Sequence, residues 1–212
     1  GLNLAKEWIL SKIDNQMDFL KKLSDARPEK EERLAEYEQR LNEIKAKLNS
    51  LTGIIEERRG TIMGLEGTAG RTYFEALSYI MPERFQFDGR SRNPAKDEFN
   101  CLLNYGYGVL YSMVEKACII AGLDPYVGFI HTDNYNKLSL VFDLIEPFRI
   151  LADQTVVYLI SGRKIKVEYF DNIKNGLTLN KEGKAVLIGA LNETFEKTVR
   201  YGGRNIKNRD II

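Results

Sequence analysis

Apolar spacing constrains this chain more than any other feature. Over its first eighty residues, large apolar side chains recur at three- and four-residue steps, the repeat of a helix with one buried face. Leu4, Trp8, Ile9, Ile13, Met17, Leu20 and Leu23 predict a helix over residues 4–23. Asp25 and Pro28 supply a break and a new start, after which Leu34, Leu41 and Leu48 fall seven apart, interleaved by Tyr37, Ile44 and Leu51. That seam covers under three heptads, so it predicts packing within the chain rather than a long dimer rod. A third helical pattern over residues 54–80 carries Ile55, Ile62, Leu65, Ala69, Tyr73, Leu77 and Ile80, and Pro82 ends it.

Beyond Pro82 the pattern breaks into a basic, aromatic loop over residues 83–96, with Arg84, Arg90, Arg92 and Lys96 among Phe85 and Phe87. Asp97 is placed to cap a long apolar helix through Leu102, Leu103, Tyr105, Val109, Leu110, Met113 and Ala117, closed by Gly122. Residues 131–137 read as a polar turn. Ser139 is expected to cap a buried helix reaching Ile160, bent or restarted near Pro147. Residues 166–179 suit a short hairpin or loop around Asn175-Gly176, residues 181–200 a last helix capped by Asn180, and residues 201–212 a basic tail. The fold expected is mainly α, one multi-helix domain over residues 1–212, with a helical hairpin arm at 1–60 and a core plus basic tail at 61–212.

Composition narrows the chemistry. The 212 residues carry 31 Lys and Arg against 30 Asp and Glu, with 43% hydrophobic residues, which suits a globular protein with a core. No apolar run of membrane-spanning length and no basic, apolar leader is present, and a cytoplasmic location is expected. Cys101 and Cys118 are too few for a four-thiolate zinc site and read as reduced helix thiols. His131 is the sole histidine, so carboxylates are the main candidates for metal or acid–base work. The net charge of +1 hides an uneven distribution: residues 61–160 are net −4 and residues 161–212 net +5. An acidic centre beside a basic end suits a metal-dependent enzyme acting on a polyanion, although charge blocks are also ordinary solvated faces.

Asp143 and Glu146, three apart in a helical pattern, are expected to project from one face, with His131 just before that helix. Their apolar neighbours Leu140, Val141, Phe142, Leu144 and Ile145 predict that at least one carboxylate meets a poorly solvated interior, where it needs a partner. A cation is one solution; an arginine such as Arg71 or Arg149 is the other. Glu66, on the third helix among Gly64, Gly67 and Gly70, could join the site across the core and complete an oxygen-and-imidazole shell suited to Mg²⁺ or Mn²⁺. Other chemistries fit less well. Ser139 and Asp133 lie near His131, but no G-x-S-x-G elbow is present, and the glycines at 60, 64, 67 and 70 lack the Gly-Lys-Ser/Thr of a P-loop.

Four segments together resemble a known family. They are Gly64-Leu65-Glu66-Gly67-Thr68-Ala69-Gly70-Arg71; Arg90-Ser91-Arg92-Asn93-Pro94 with Asp97, Asn100 and Leu103-Asn104-Tyr105-Gly106-Tyr107; Gly128-Phe129-Ile130-His131; and Phe142-Asp143-Leu144-Ile145-Glu146-Pro147-Phe148-Arg149. In this order they resemble the CRISPR-associated adaptation integrases, the Cas-one family, over at least residues 4–160. The resemblance implies a helical catalytic domain that works with a Cas-two companion subunit to insert captured foreign DNA into a CRISPR array. It implies Glu66, His131 and Glu146 as metal ligands, Glu146 standing where many relatives carry Asp, and Asp143 as a supporting acid. It also implies a β-rich N-terminal domain that mediates much of the homodimer contact, with this chain beginning where that domain ends.

The expected chemistry is attack by the 3′-hydroxyl of an incoming strand on a phosphodiester of double-stranded or branched DNA, assisted by Mg²⁺ or Mn²⁺. Arg84, Arg90, Arg92, Lys96 and the basic end are candidate phosphate contacts. A casposase-type transposon integrase shares the same residues and is one alternative; a non-catalytic helical scaffold with a merely structural acidic cluster is the other.

Overall fold

The computed structural model of the chain describes residues 1–92, 94–131 and 137–212. Asn93 of the second motif and most of the expected polar turn, with Asp133, lie outside the described residues. The fold is mainly α, with two short antiparallel hairpins as the sheet content of the described residues. It divides into two compact units: residues 1–80 with 118–150, and residues 81–117 with 151–212. No helix of the described residues is long and apolar enough to cross a membrane.

In the first unit, helices α1 (Leu2–Asp25), α2 (Glu31–Asn49) and α3 (Ile55–Ile80) pack on one another, so the leucine seam is satisfied within the chain. Leu34, Leu41 and Leu48 are fully buried. The buried face of α1 is the one its apolar spacing marks: Ile9, Ile13, Leu20 and Leu23 are buried with Leu2, Ala5 and Phe19, while Leu4, at its margin, is exposed. Polar Lys12 and Gln16 lie on the same buried face.

The helix expected after residue 138 is restarted at Pro147, in three pieces. Helix α5 (Ser139–Leu144) ends in a 3-10 turn at Glu146–Phe148, and α6 (Arg149–Ser161) restarts beyond it. Pro147 is the physical cause, because its ring and missing N–H fit a first turn and not a helix interior. Ser139 does not cap α5. It is the first helical residue, Leu138 precedes it without a side-chain cap, and the Ser139 hydroxyl donates to the Lys137 carbonyl.

In the second unit the capping expectations hold. Asp97 accepts from the Asn100 N–H at 2.7 Å at the start of α4 (Glu98–Ile120), and Asn180 accepts from the Gly183 N–H at 3.0 Å at the start of α7 (Lys181–Glu196). Gly122, following α4 within the first unit, takes φ 70° as a helix-ending glycine. Strands β1 (Phe170–Ile173) and β2 (Gly176–Leu179) form the hairpin expected around Asn175-Gly176, with Asn175 at φ 68°. Residues 201–212 are not a tail. Strands β3 (Thr198–Tyr201) and β4 (Arg204–Lys207) pair across Gly202-Gly203, both at positive φ, and α8 (Asn208–Ile211) packs on α7. A Gly-Gly pair between strand-compatible residues is a hairpin signal that the charge of the segment obscured. Cys101 and Cys118 are buried and outside any disulfide, and burial pushes the Cys101 thiol up to about 11, which disfavours its thiolate.

Because Leu41 sits at the middle of the α2 seam, Leu41→Ala is expected to destabilise the chain by about 2–5 kcal/mol, read as a lower urea midpoint. A change within about 0.5 kcal/mol, the size of an ordinary surface substitution, would show that the seam does not carry the first unit.

Candidate functional site

Glu66, His131, Asp143 and Glu146 all belong to the first unit. They form two adjoining arrangements, each held by the chain for a different physical reason.

The first is built on Asp143, whose side chain is fully buried in α5. One carboxylate oxygen accepts from the backbone N–H groups of Phe129 (2.6 Å) and Ile130 (2.9 Å); the other accepts from the His131 N–H (3.0 Å) and faces His131 Nδ1 at 2.7 Å. Burial pushes this carboxyl up, but the hydrogen bonds from His131 and the three backbone N–H groups outweigh it and hold Asp143 below the usual carboxylate range. An ionised carboxylate only accepts, so Nδ1 donates and His131 Nε2 is the ring nitrogen left away from Asp143. Segment 128–131 can wrap this closely because residue 128 is glycine: a Cβ there would lie 2.4 Å from the His131 carbonyl oxygen and 2.6 Å from Ser139 Cβ. Trp8 meets Phe129 edge-on at 5.8 Å, and Arg59 Nε donates to the Phe129 carbonyl at 3.0 Å, fixing the segment from α1 and α3.

The second arrangement is built on Glu146, 3% exposed in the 3-10 turn. Arg149 Nε donates to its Oε1 at 2.9 Å, and Lys12 Nζ lies 2.6 Å from its Oε2. That buried Oε2 has Lys12 as its charged partner, with the ammonium off the best hydrogen-bond direction. The same Lys12 Nζ closes on Glu66 Oε1 from α3. Burial pushes Glu146 up, but Lys12 and Arg149 overcome it and hold the carboxyl down at about 2. For Lys12 burial pulls the ammonium down, and Glu146 with Glu66 more than restores it, so the net shift is upward. Asn15, one turn along α1 from Lys12, donates to the Pro147 carbonyl at 2.8 Å and ties the 3-10 turn to the helix.

Asp143 and Glu146 thus do not share one partner: Asp143 is held by segment 128–131, and Glu146 by Lys12 and Arg149. Of the two partners considered for a buried acid here, Arg149 is the one used, and Lys12 is a participant that sequence spacing missed. Its signal was present: Lys12 stands between Ile9 and Ile13 on the face of α1 that must be buried.

Among the described residues no three His, Cys, Asp or Glu side chains are grouped closely enough to hold a metal ion. The fit to a divalent cation rests on the pair. Two carboxylates already converge on one positive charge, one of their oxygens lacks an aligned hydrogen bond, and hard oxygen donors suit Mg²⁺ or Mn²⁺.

The basic loop is described within the second unit. Arg84, Arg92 and Lys96 are exposed, Arg84 lying 3.6 Å from Glu98. Arg90 instead turns inward: its guanidinium donates to the side-chain oxygens of Asn100 and Asn104 (2.7 Å to Asn104) and stacks over Tyr107. It holds the loop on α4.

A depressed pKa makes Glu146 a stability group. Its stabilisation is complete above its ordinary value of 4.5 and is lost as pH falls from there through about 2. The urea midpoint of the metal-free protein is expected to drop across that window, and Asp143, shifted the same way, adds to the drop. Glu146→Gln is expected to start from a lower midpoint at pH 7 and to fall less steeply; profiles that run parallel to the unmodified protein would rule out this source of acid sensitivity.

Comparison with known proteins places this geometry in a family. The family model described as CRISPR associated protein Cas1 matches residues 1–193. A CRISPR-associated endonuclease Cas1 of Archaeoglobus fulgidus is 38% identical over all of this chain and 65% of its own length, and one of Thermus thermophilus is 36% identical over all of this chain and 60% of its own length. Among solved structures, a casposase bound to integration product (TM-score 0.85, 28% identity, 99% of this chain and 57% of that one) and a Cas1 protein from Thermotoga maritima (TM-score 0.82, 28% identity, 99% of this chain and 61% of that one) share the fold. A chain of a Cas6-RT-Cas1–Cas2 complex matches with TM-score 0.85 and 28% identity over 98% of this chain and 22% of that one. The chain therefore spans about 60–65% of the length of these two curated relatives, and it belongs to the Cas1 family.

Proposed function

We propose that this chain carries the catalytic site of a divalent-metal-dependent DNA endonuclease and integrase of CRISPR adaptation, acting in the cytoplasm on double-stranded or branched DNA. The observation that carries the reading is the convergence of Glu66 and Glu146 on a single cation within the unit that holds His131. Glu66 and Glu146 would hold Mg²⁺ or Mn²⁺, with His131 Nε2 as the candidate nitrogen ligand. When bound, such an ion supplies Lewis acidity and neutralises charge on the phosphoryl oxygens.

The residues themselves account for the rest. Asp143 fixes the His131 ring and its tautomer, so that Nε2 is held ready as a lone-pair donor. Arg149 keeps Glu146 ionised and fixes its carboxylate plane. In the reaction, a 3′-hydroxyl oxygen forms a new bond to phosphorus while the bond to the departing 3′-oxygen breaks. The number of phosphodiesters is unchanged, and the proton lost by the attacking hydroxyl is balanced by the one gained by the departing alkoxide; with water as nucleophile the same site cleaves. Exposed Arg84, Arg92 and Lys96 are the proposed phosphate contacts, predicting binding that weakens with salt and reads little sequence. Arg90 is reassigned to holding the loop. The partners proposed are DNA, a Cas2-type companion and, in the longer protein, a second copy. A casposase-type integrase is the second reading, favoured by the casposase match at TM-score 0.85.

Incubation of the protein with branched DNA and Mn²⁺ tests the site. Strand transfer or cleavage is expected to fall by at least about a hundredfold in Glu66→Ala, the size seen when a catalytic electrostatic partner is removed, and similarly in His131→Ala. Activity retained in both variants would refute the site; ends of a mobile element used in preference to short captured duplexes would favour the casposase reading.

A further inference from the structure

Lys12 is a lysine in an unusual place. It is 8% exposed on the core face of α1, and both anionic oxygens that face it, Glu66 Oε1 and Glu146 Oε2, meet the same nitrogen. We propose that Lys12 is the resident cation of this acidic pair, that a divalent ion must displace it to bind, and that Lys12 thereby sets the metal affinity of the site. The inference rests on the reading of Glu66 and Glu146 as metal ligands and adds the residue that opposes them.

Space and charge both require the exchange. An ion bridging Glu66 and Glu146 would stand roughly 2.0–2.1 Å from each oxygen for Mg²⁺, in the gap Nζ now fills at 2.6 Å from Glu146 Oε2. An ammonium and a dication cannot share that gap, because at such a separation and away from bulk water their repulsion is strong. The charges also balance without a metal: Glu66 and Glu146 are offset by Lys12 and Arg149. Arg149 does not have to leave, since it donates to Oε1, the other oxygen of Glu146. Lys12 meets Oε2 at 2.6 Å away from the best hydrogen-bond direction, and its ammonium rides on a flexible four-carbon stem. It is the group that can yield. Until it does, Lys12 keeps buried Glu146 and half-buried Glu66 from repelling each other and holds α3 and the 3-10 turn against α1.

Two measurements on the chain decide the matter. Calorimetric titration with Mn²⁺ is expected to show Lys12→Met binding at least about tenfold more tightly than the unmodified protein, the scale of a neighbouring residue's effect on a metal site. In the unmodified protein, reductive methylation followed by peptide mass spectrometry is expected to label Lys12 slowly without metal and several-fold faster at saturating Mn²⁺, while exposed Lys22 of the same helix is unchanged. The labelling needs no variant, so it decides even if Lys12→Met folds poorly. Unchanged Lys12 labelling with Mn²⁺ bound, or equal affinity in the two proteins, overturns the displacement and leaves the metal site standing. No Mn²⁺ binding by either protein overturns both.

Discussion

The first unit is organised around one interaction: a buried lysine shared by two carboxylates from different elements. Lys12 comes from α1, Glu66 from α3 and Glu146 from the 3-10 turn after α5. Ionised groups are not left inside a core without partners, because the desolvation cost of each is several kcal/mol. Lys12 and Glu146, both nearly fully buried, therefore need each other, and Glu66 and Arg149 complete the neutral set. Apolar packing of α1, α2 and α3 brings these elements near one another; the charges fix which atoms meet.

The Asp143 arrangement serves a different end. Backbone N–H groups of consecutive residues converge on one carboxylate and so force segment 128–131 into a single shape, with glycine at 128 as the steric condition. That shape carries His131 with its Nδ1 committed and its other nitrogen available. An acid that helical spacing paired with Glu146 is in fact the support of the histidine. The two carboxylates are neighbours in sequence with separate tasks.

Helix legibility followed the strength of local signals. Periodicity located α1, α2 and α3 to within two or three residues at their ends, because each has a long apolar face and a clear break beside it. Asp97 and Asn180 were readable as caps, since a cap depends on residues within one turn. Ser139 was misread for want of the same context: a capping residue type stood one position inside the helix it should precede. The β3–β4 hairpin was hidden by its basic charge, although Gly202-Gly203 marks its turn.

The sequence by itself determined the helical class, the seam of α2, the break at Pro147 and, through motifs spread over four segments, the family. Those are local or one-dimensional facts, set by spacing and residue type. Only the tertiary structure decided which groups share a charge. That Lys12 meets Glu66, 54 residues away, and Glu146 depends on how α1 and α3 turn about their axes as they pack, and that Arg90 points inward depends on how its loop lies on α4. One residue corresponds to about 100° of helix circumference, and a broad apolar face does not say which polar side chains at its margin will meet.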